Sequence, residues 1–173
     1  AGSYRFENLP PGRYQVGATK KCRWTLTSPL LFSKELIDVN LPRDLVFDQW
    51  KNLLYISTGT GAVARYDLTA GNLLSPYTVG NSLRGMDITP DGSALYVTEA
   101  NFSGGHGTLH KVNLNNGVVT NIAYPLSSGE AGGWDIQIGS RGKGLLSSTY
   151  NGSGPVPLRE LITATDTIAI RTD

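Results

Sequence analysis

Two histidines, His106 and His110, are the only imidazoles in the chain, and Cys22 is its only thiol. Four residues apart on a strand, the histidines would share a face, but the Gly104-Gly105-His106-Gly107 run reads as a turn. A catalytic zinc site takes three protein ligands, and no third histidine exists to complete one. No metal and no cofactor is therefore expected. Cys22 lies between Lys21 and Arg23, which favours a thiolate, yet a partly buried structural thiol is the better reading of a single cysteine. Carboxylate-pair hydrolysis needs two acids at a fixed separation; Asp87 and Asp91 are parted by a turn and do not supply it. The sequence holds no Gly-x-Ser-x-Gly elbow. Its Gly-rich run at residues 129–133 has no Gly-Lys-Ser/Thr, so it is not a phosphate loop. No catalytic constellation emerges.

The bulk composition narrows the classes further. The chain has 173 residues, 39% hydrophobic and only 17% charged, with 21 Gly, against about 25% charged in ordinary soluble domains. Its formal net charge of +1 argues against nucleic acid, because Lys20, Lys21 and Arg23 are too short a basic run to track a phosphate backbone. No apolar stretch approaches the ~20 residues of a membrane-spanning helix. There is neither an initiator Met nor a signal peptide at Ala1, and the chain reads as a piece of something longer.

Whatever positions the candidate side chains is β-structure: short runs rich in Val, Ile, Leu and Tyr, punctuated by Gly, Pro, Asn and Asp. The segment at 157–163 lacks a 3.6-residue apolar stripe and is not read as helix. An internal repeat organises the runs. Residues 44–57 align with 85–98, so that Phe47 matches Ile88, Leu54 matches Leu95, Tyr55 matches Tyr96 and Ile56 matches Val97. The spacing of about 41 residues lies in the range of propeller repeats. A third copy starts at Gly133-Trp134-Asp135-Ile136. Residues 64–71 and 110–117 form a second matching pair, each a strand running into a polar turn that closes on Gly.

Four strands per unit of about 40–48 residues make the blade of a β-propeller. The run Thr89-Pro90-Asp91-Gly92 followed by Ala94-Leu95-Tyr96-Val97-Thr98, then Gly107-Thr108-Leu109 and Val112-Asn113-Leu114, resembles the YVTN and NHL-like bacterial propeller repeats. That resemblance covers about three quarters of the chain and implies fold more than function. The expected architecture is all-β, with an incomplete propeller at 43–173 divided into blades at about 43–80, 81–124 and 125–173. Residues 168–173 are read as the third strand of the last blade, leaving it without an outer strand.

The first forty residues differ. Tyr4-Arg5-Phe6-Glu7-Asn8-Leu9-Pro10-Pro11-Gly12-Arg13-Tyr14-Gln15-Val16, with Trp24-Thr25-Leu26-Thr27 after it, resembles the second half of a prealbumin-like sandwich of the SdrD B-repeat, Cna B-type or carboxypeptidase-regulatory-like kind. Residues 1–42 are assigned to it, with 36–41 as the closing strand. Some such domains carry a Lys–Asn isopeptide bond. Asn40 would be its Asn, but Gln15, Gly17 and Ala18 stand where the promoting acid belongs, so no such bond is expected.

The candidate ligand-binding residues come from the repeat. Asp87 and Asp135 take equivalent places on the innermost strands of blades two and three, with Val46 at that place in blade one. Arg84 and Trp134 lie beside them and would add a cation and a stacking face. The plainer reading of the two aspartates is that they bond neighbouring loop backbones and set the blade spacing. Asn101-Phe102-Ser103 and Asn151-Gly152-Ser153 are N-glycosylation acceptors on paper. The functional expectation is a non-enzymatic extracellular or cell-surface scaffold or binding module. Its partner would be a protein, a glycan or another copy joined through open blade edges. The competing expectation is a propeller enzyme of the lactonase or streptogramin-lyase kind, whose catalytic residues would lie in further blades.

Overall fold

The structure, a computed structural model, describes residues 36–152 and 156–172 together with two short strands, β1 (Gln15–Ala18) and β2 (Trp24–Thr27). The chain divides into two compact units, Ala1–Leu36 and Ile37–Asp173. In the first, β1 and β2 pair antiparallel with Gln15 opposite Thr27 and Ala18 opposite Trp24. Residues 4–14 of the segment that resembles a prealbumin-like sandwich, the Lys20–Arg23 cluster and Cys22 lie outside the described residues.

The second unit is three four-stranded antiparallel sheets, each a meander in chain order. Blade one is β3 (Pro42–Asp48), β4 (Leu53–Thr58), β5 (Ala62–Asp67) and β6 (Asn72–Thr78). Blade two is β7 (Leu83–Ile88), β8 (Ala94–Glu99), β9 (His106–Asn113) and β10 (Val119–Pro125). Blade three is β11 (Glu130–Ile138), β12 (Lys143–Tyr150), β13 (Arg159–Ile162) and β14 (Thr167–Ile170). No helix among the described residues is long and apolar enough to cross a membrane.

Local chemistry sets the hairpins. The Asp67 carboxylate accepts the N–H groups of Thr69 and Ala70 at 2.8 and 3.0 Å. In the matching turn of blade two, Asn113 does the same for Asn115 at 2.9 Å. Each turn closes on a glycine with positive φ, Gly71 at 68° and Gly117 at 76°, where a Cβ would be strained.

Alternation along the strands builds the core. Every residue of β8 is buried, because blade two is packed on both faces. Leu95 and Val97 join Met86, Val112 and Leu83 against Leu53, Tyr55 and Val63 of blade one. Ala94 and Tyr96, one residue out of phase, pack with Leu109 and Tyr124 against Ile136, Leu146 and Leu161 of blade three. Each fully buried Leu or Ile contributes about 1.5–3 kcal/mol, so these two seams hold the blades together. Polar contacts tie the same seams. Tyr96 donates its hydroxyl to Asp166 at 2.6 Å, and Lys111 pairs with that carboxylate at 2.8 Å.

Two expectations are corrected. Residues 36–41 do not form a closing strand; Leu41 turns to φ 48°, which no extended strand accommodates. Blade three does have its outer strand. Its third strand is β13, within the segment at 157–163, and residues 167–170 are the fourth. The reason is chemical: Arg159 occupies an inward position of β13 and is 1% exposed, so a cation sits where the pattern led one to look for an aliphatic residue.

Candidate functional site

The innermost strands β3, β7 and β11 stand side by side. A cavity of about 380 Å³ opens between them, lined by Pro42, Arg43 and Asp44 of β3, Arg84 and Gly85 of β7, and Trp134 and Asp135 of β11. Three of the residues expected from the sequence therefore converge: Arg84, Trp134 and Asp135.

Arg84 lies with its guanidinium 5.0 Å from the Trp134 ring centroid, spanning the seam between blades two and three. Cation–π attraction of this kind contributes about 0.5–2 kcal/mol and fixes the plane of the guanidinium. Its Nε is buried without a hydrogen-bond partner among the described residues. Trp134 remains 51% exposed. Hydroxyl groups fix the strands beneath them: Ser57 donates to the Arg84 carbonyl at 2.6 Å, and Thr98 to those of Gly85 and Trp134 at 3.0 and 3.2 Å. Gly85 allows the approach. A Cβ there would stand 2.1 Å from Asp135 Oδ1 and 2.7 Å from its Cα.

The aspartates follow one rule. Each gives its Oδ1 to the N–H of the next residue: Asp44 to Leu45, Asp87 to Ile88 and Asp135 to Ile136, all at 2.8 Å. The second oxygen crosses to the next blade. Asp44 Oδ2 accepts from Met86 N–H at 2.8 Å, and Asp87 Oδ2 from Ile138 N–H at 2.6 Å. Asp135 Oδ2 has no hydrogen-bond partner among the described residues. Asp87 has each of its oxygens bonded to a backbone N–H and does not line this cavity. The reading missed Asp44 and Arg43. Asp44 sits two positions before Val46, the counterpart of Asp87, so an alignment at fixed spacing passes over it.

Two buried acids shape the neighbouring loops. Glu99 accepts the N–H groups of Asn81, Ser82 and Asn101 at 2.8, 2.9 and 3.1 Å, and faces His110 Nε2 at 3.4 Å. Burial pushes its carboxyl up, but the His110 contact and the three backbone donors outweigh it and hold Glu99 below the usual range. His110 in turn meets Asn121 at 2.8 Å and is 4% exposed, whereas His106 is exposed and bonds the Gly104 carbonyl. In blade three Glu130 takes a two-pronged contact from Arg159, which also donates to the Pro125 carbonyl and the Ser148 hydroxyl. Burial raises Glu130, and Arg159 with the Ser127 N–H lowers it further than burial lifts it. Among the described residues no group of three His, Cys, Asp or Glu side chains is placed to hold a metal ion. Asn101 and Asn151 are both exposed in loops.

No protein-family model matches the sequence, and no curated protein does either. Solved structures do match. Hydrazine synthase of Kuenenia stuttgartiensis aligns with a TM-score of 0.61 at 16% identity, over 75% of this chain and 37% of that one. The β-propeller domain of Cps50 (Swd1) from Myceliophteria thermophila aligns with a TM-score of 0.57 at 8% identity, over 78% of this chain and 39% of that one. The chain spans less than two fifths of either neighbour. At such identities the likeness is one of fold, and the described blades are part of a β-propeller.

Proposed function

We propose that this chain is a non-enzymatic binding module, set outside the cell or on its surface within a larger surface protein, and that its ligand sits in the cavity between the innermost strands. The single observation behind this is Arg84 laid on Trp134 across a blade seam, with a buried, unpartnered Nε on one and half the ring open on the other. Both groups recognise rather than react. A guanidinium edge offers planar donors for carboxylate, hydroxyl or carbonyl oxygens, the indole face takes a sugar or side-chain face, and Asp135 Oδ2 is a free acceptor. Either a glycan or a protein loop matches this set. The resemblance of the blades to YVTN/NHL-like repeats, and of the first forty residues to prealbumin-like domains, supports the extracellular setting.

Arrays of glycans and of peptides, probed with the whole chain and with Arg84→Ala and Trp134→Ala, test the reading. The expected result is one recurring ligand class, with affinity reduced about tenfold or more in each variant, equivalent to about 1.4 kcal/mol. Equal binding by all three proteins would move the site elsewhere.

A further inference from the structure

Two arginines and two aspartates, Arg43, Arg84, Asp44 and Asp135, line the cavity between the innermost strands, yet no arginine there pairs with an aspartate. The ion pairs of the blades lie elsewhere, at Lys51–Asp48, Lys111–Asp166, Lys143–Glu160 and Arg159–Glu130. Backbone satisfies the aspartates instead. Asp44 has both oxygens on N–H groups, those of Leu45 and Met86, and Asp135 has one on Ile136. Formal charge in the cavity is balanced, but hydrogen-bonding capacity is not. A guanidinium carries donors only, and neither that of Arg43 nor that of Arg84 has a hydrogen bond or ion pair among the described residues. Against these donors stands one unbonded acceptor, Asp135 Oδ2.

Both cations are nonetheless held in place. Arg84 lies on the Trp134 ring, 5.0 Å from its centroid. Arg43 lies over Gly59, where a Cβ would stand 3.1 Å from its Nε and Nη2. The Gly59 N–H donates to the Leu41 carbonyl at 2.9 Å, which anchors the chain as it enters β3. An excess of positioned donors matches a ligand rich in acceptors, and a carboxylate engages a guanidinium edge through two parallel bonds. The open half of the Trp134 ring takes a flat C–H face, and Asp135 Oδ2 takes a hydroxyl proton. One chemical unit brings all three features together: a pyranose ring that carries a carboxylate beside its hydroxyls. An Asp or Glu side chain has the carboxylate without the hydroxyl or the flat face. A neutral sugar leaves both guanidiniums without a counter-ion. The cavity volume of about 380 Å³ falls within the range of about 300–1,000 Å³ common for small-ligand sites.

We infer, resting on the cavity reading above, that the ligand is an acidic glycan bound through a uronic-acid type unit. Its carboxylate sits on Arg84 with Arg43 as the second cation, its ring face on Trp134 and a ring hydroxyl on Asp135 Oδ2.

Calorimetric titration of the whole chain with oligomers of glucuronic, galacturonic, mannuronic and guluronic acid, each beside its methyl ester, tests this. The ester keeps the ring and hydroxyls and removes only the charge. The expected result is binding of at least one acid, with its ester weaker by about tenfold or more. Arg43→Gln and Arg84→Gln should each reduce the acid's affinity by about tenfold and bring acid and ester closer together. Circular dichroism checks the fold of both variants. If Arg84→Gln loses its sheet signal, Arg43→Gln, at an exposed position, carries the comparison. Oligoglutamate and dextran sulfate complete the set, and both should bind more weakly than the best acid. No binding of any acid, equal binding of acid and ester, or equal binding of oligoglutamate or dextran sulfate overturns the inference. The two readings fail separately. If a neutral glycan or a peptide binds with dependence on Arg84 and Trp134, the cavity stands and the acidic sugar falls. If an acid binds at full strength to Arg84→Ala and Trp134→Ala, the cavity itself is the wrong site.

Discussion

The carboxylate of Asp87 reaches out of blade two to accept the backbone N–H of Ile138 in blade three, at 2.6 Å. It fixes the innermost strand of blade two against that of blade three. Asp44 repeats the contact one blade earlier, on Met86. The cavity side chains are held across blades, so their spacing depends on these contacts.

Removing an inter-blade carboxylate leaves an inward N–H without its partner. Asp87→Ala and Asp44→Ala should each lower the unfolding free energy by about 1–3 kcal/mol. Asp135→Ala, whose carboxylate bonds only its own neighbour, should cost less. Urea titrations of the chain and of the three variants make the comparison. Equal losses at all three positions would refute the ordering.

Gly85 is required by the approach of Asp135. In Gly85→Ala the new methyl meets the Asp135 Cα as well as its carboxylate, and a backbone atom cannot rotate away. A loss of about 1–3 kcal/mol is expected, together with weaker ligand binding as β7 and β11 separate. Gly139→Ala is the control. Its Cβ would meet nothing nearer than the Lys143 carbonyl at 3.3 Å, and its effect should stay within about 0.5 kcal/mol.

The pH dependence follows from Glu99 and Glu130. Both carboxyls are lowered in the folded chain, so the unfolded chain binds protons more readily. Their stabilisation is complete above the unfolded value of about 4.3 and is lost as pH falls through the lower folded values. Thermal midpoints should fall on acidification below about pH 5, and the fall should be shallower in Glu99→Gln. A midpoint that rises on acidification over that range would reverse the sign.

Arg159→Met should destabilise by about 3–5 kcal/mol, because it leaves the Glu130 carboxylate buried without its partner. Adding Glu130→Leu should recover most of the loss, since an apolar pair of similar volume avoids the desolvation of two ions. Chemical denaturation of the single and double variants decides it. A double variant no better than the single would mean that the pair contributes more than charge compensation.

The blades were legible because burial on both faces leaves a run of apolar residues. Leu54-Tyr55-Ile56 and Leu95-Tyr96-Val97 carry that mark at matching places. Arg84 and Trp134 were legible because they lie beside the repeated aspartate positions, and the fold brings them into contact. What stayed hidden was polar and buried. Arg159 stands at an inward position of β13 and concealed that strand, while Asp44 does from a shifted position what Asp87 does in blade two. Neither leaves a periodic signature, because each is defined by a partner far along the chain.

The central claim is that ligand sits at Arg84 and Trp134 between the innermost strands. Its most direct test is a titration of ¹⁵N-labelled chain with the ligand class selected on the arrays, following the Trp134 indole and the Gly85 and Asp135 amides. The account predicts that these resonances shift together and saturate at one affinity. Shifts confined to the outer loops, such as those of Gly104 and Gly105 or of Asn151, with the Trp134 indole unmoved, would contradict it.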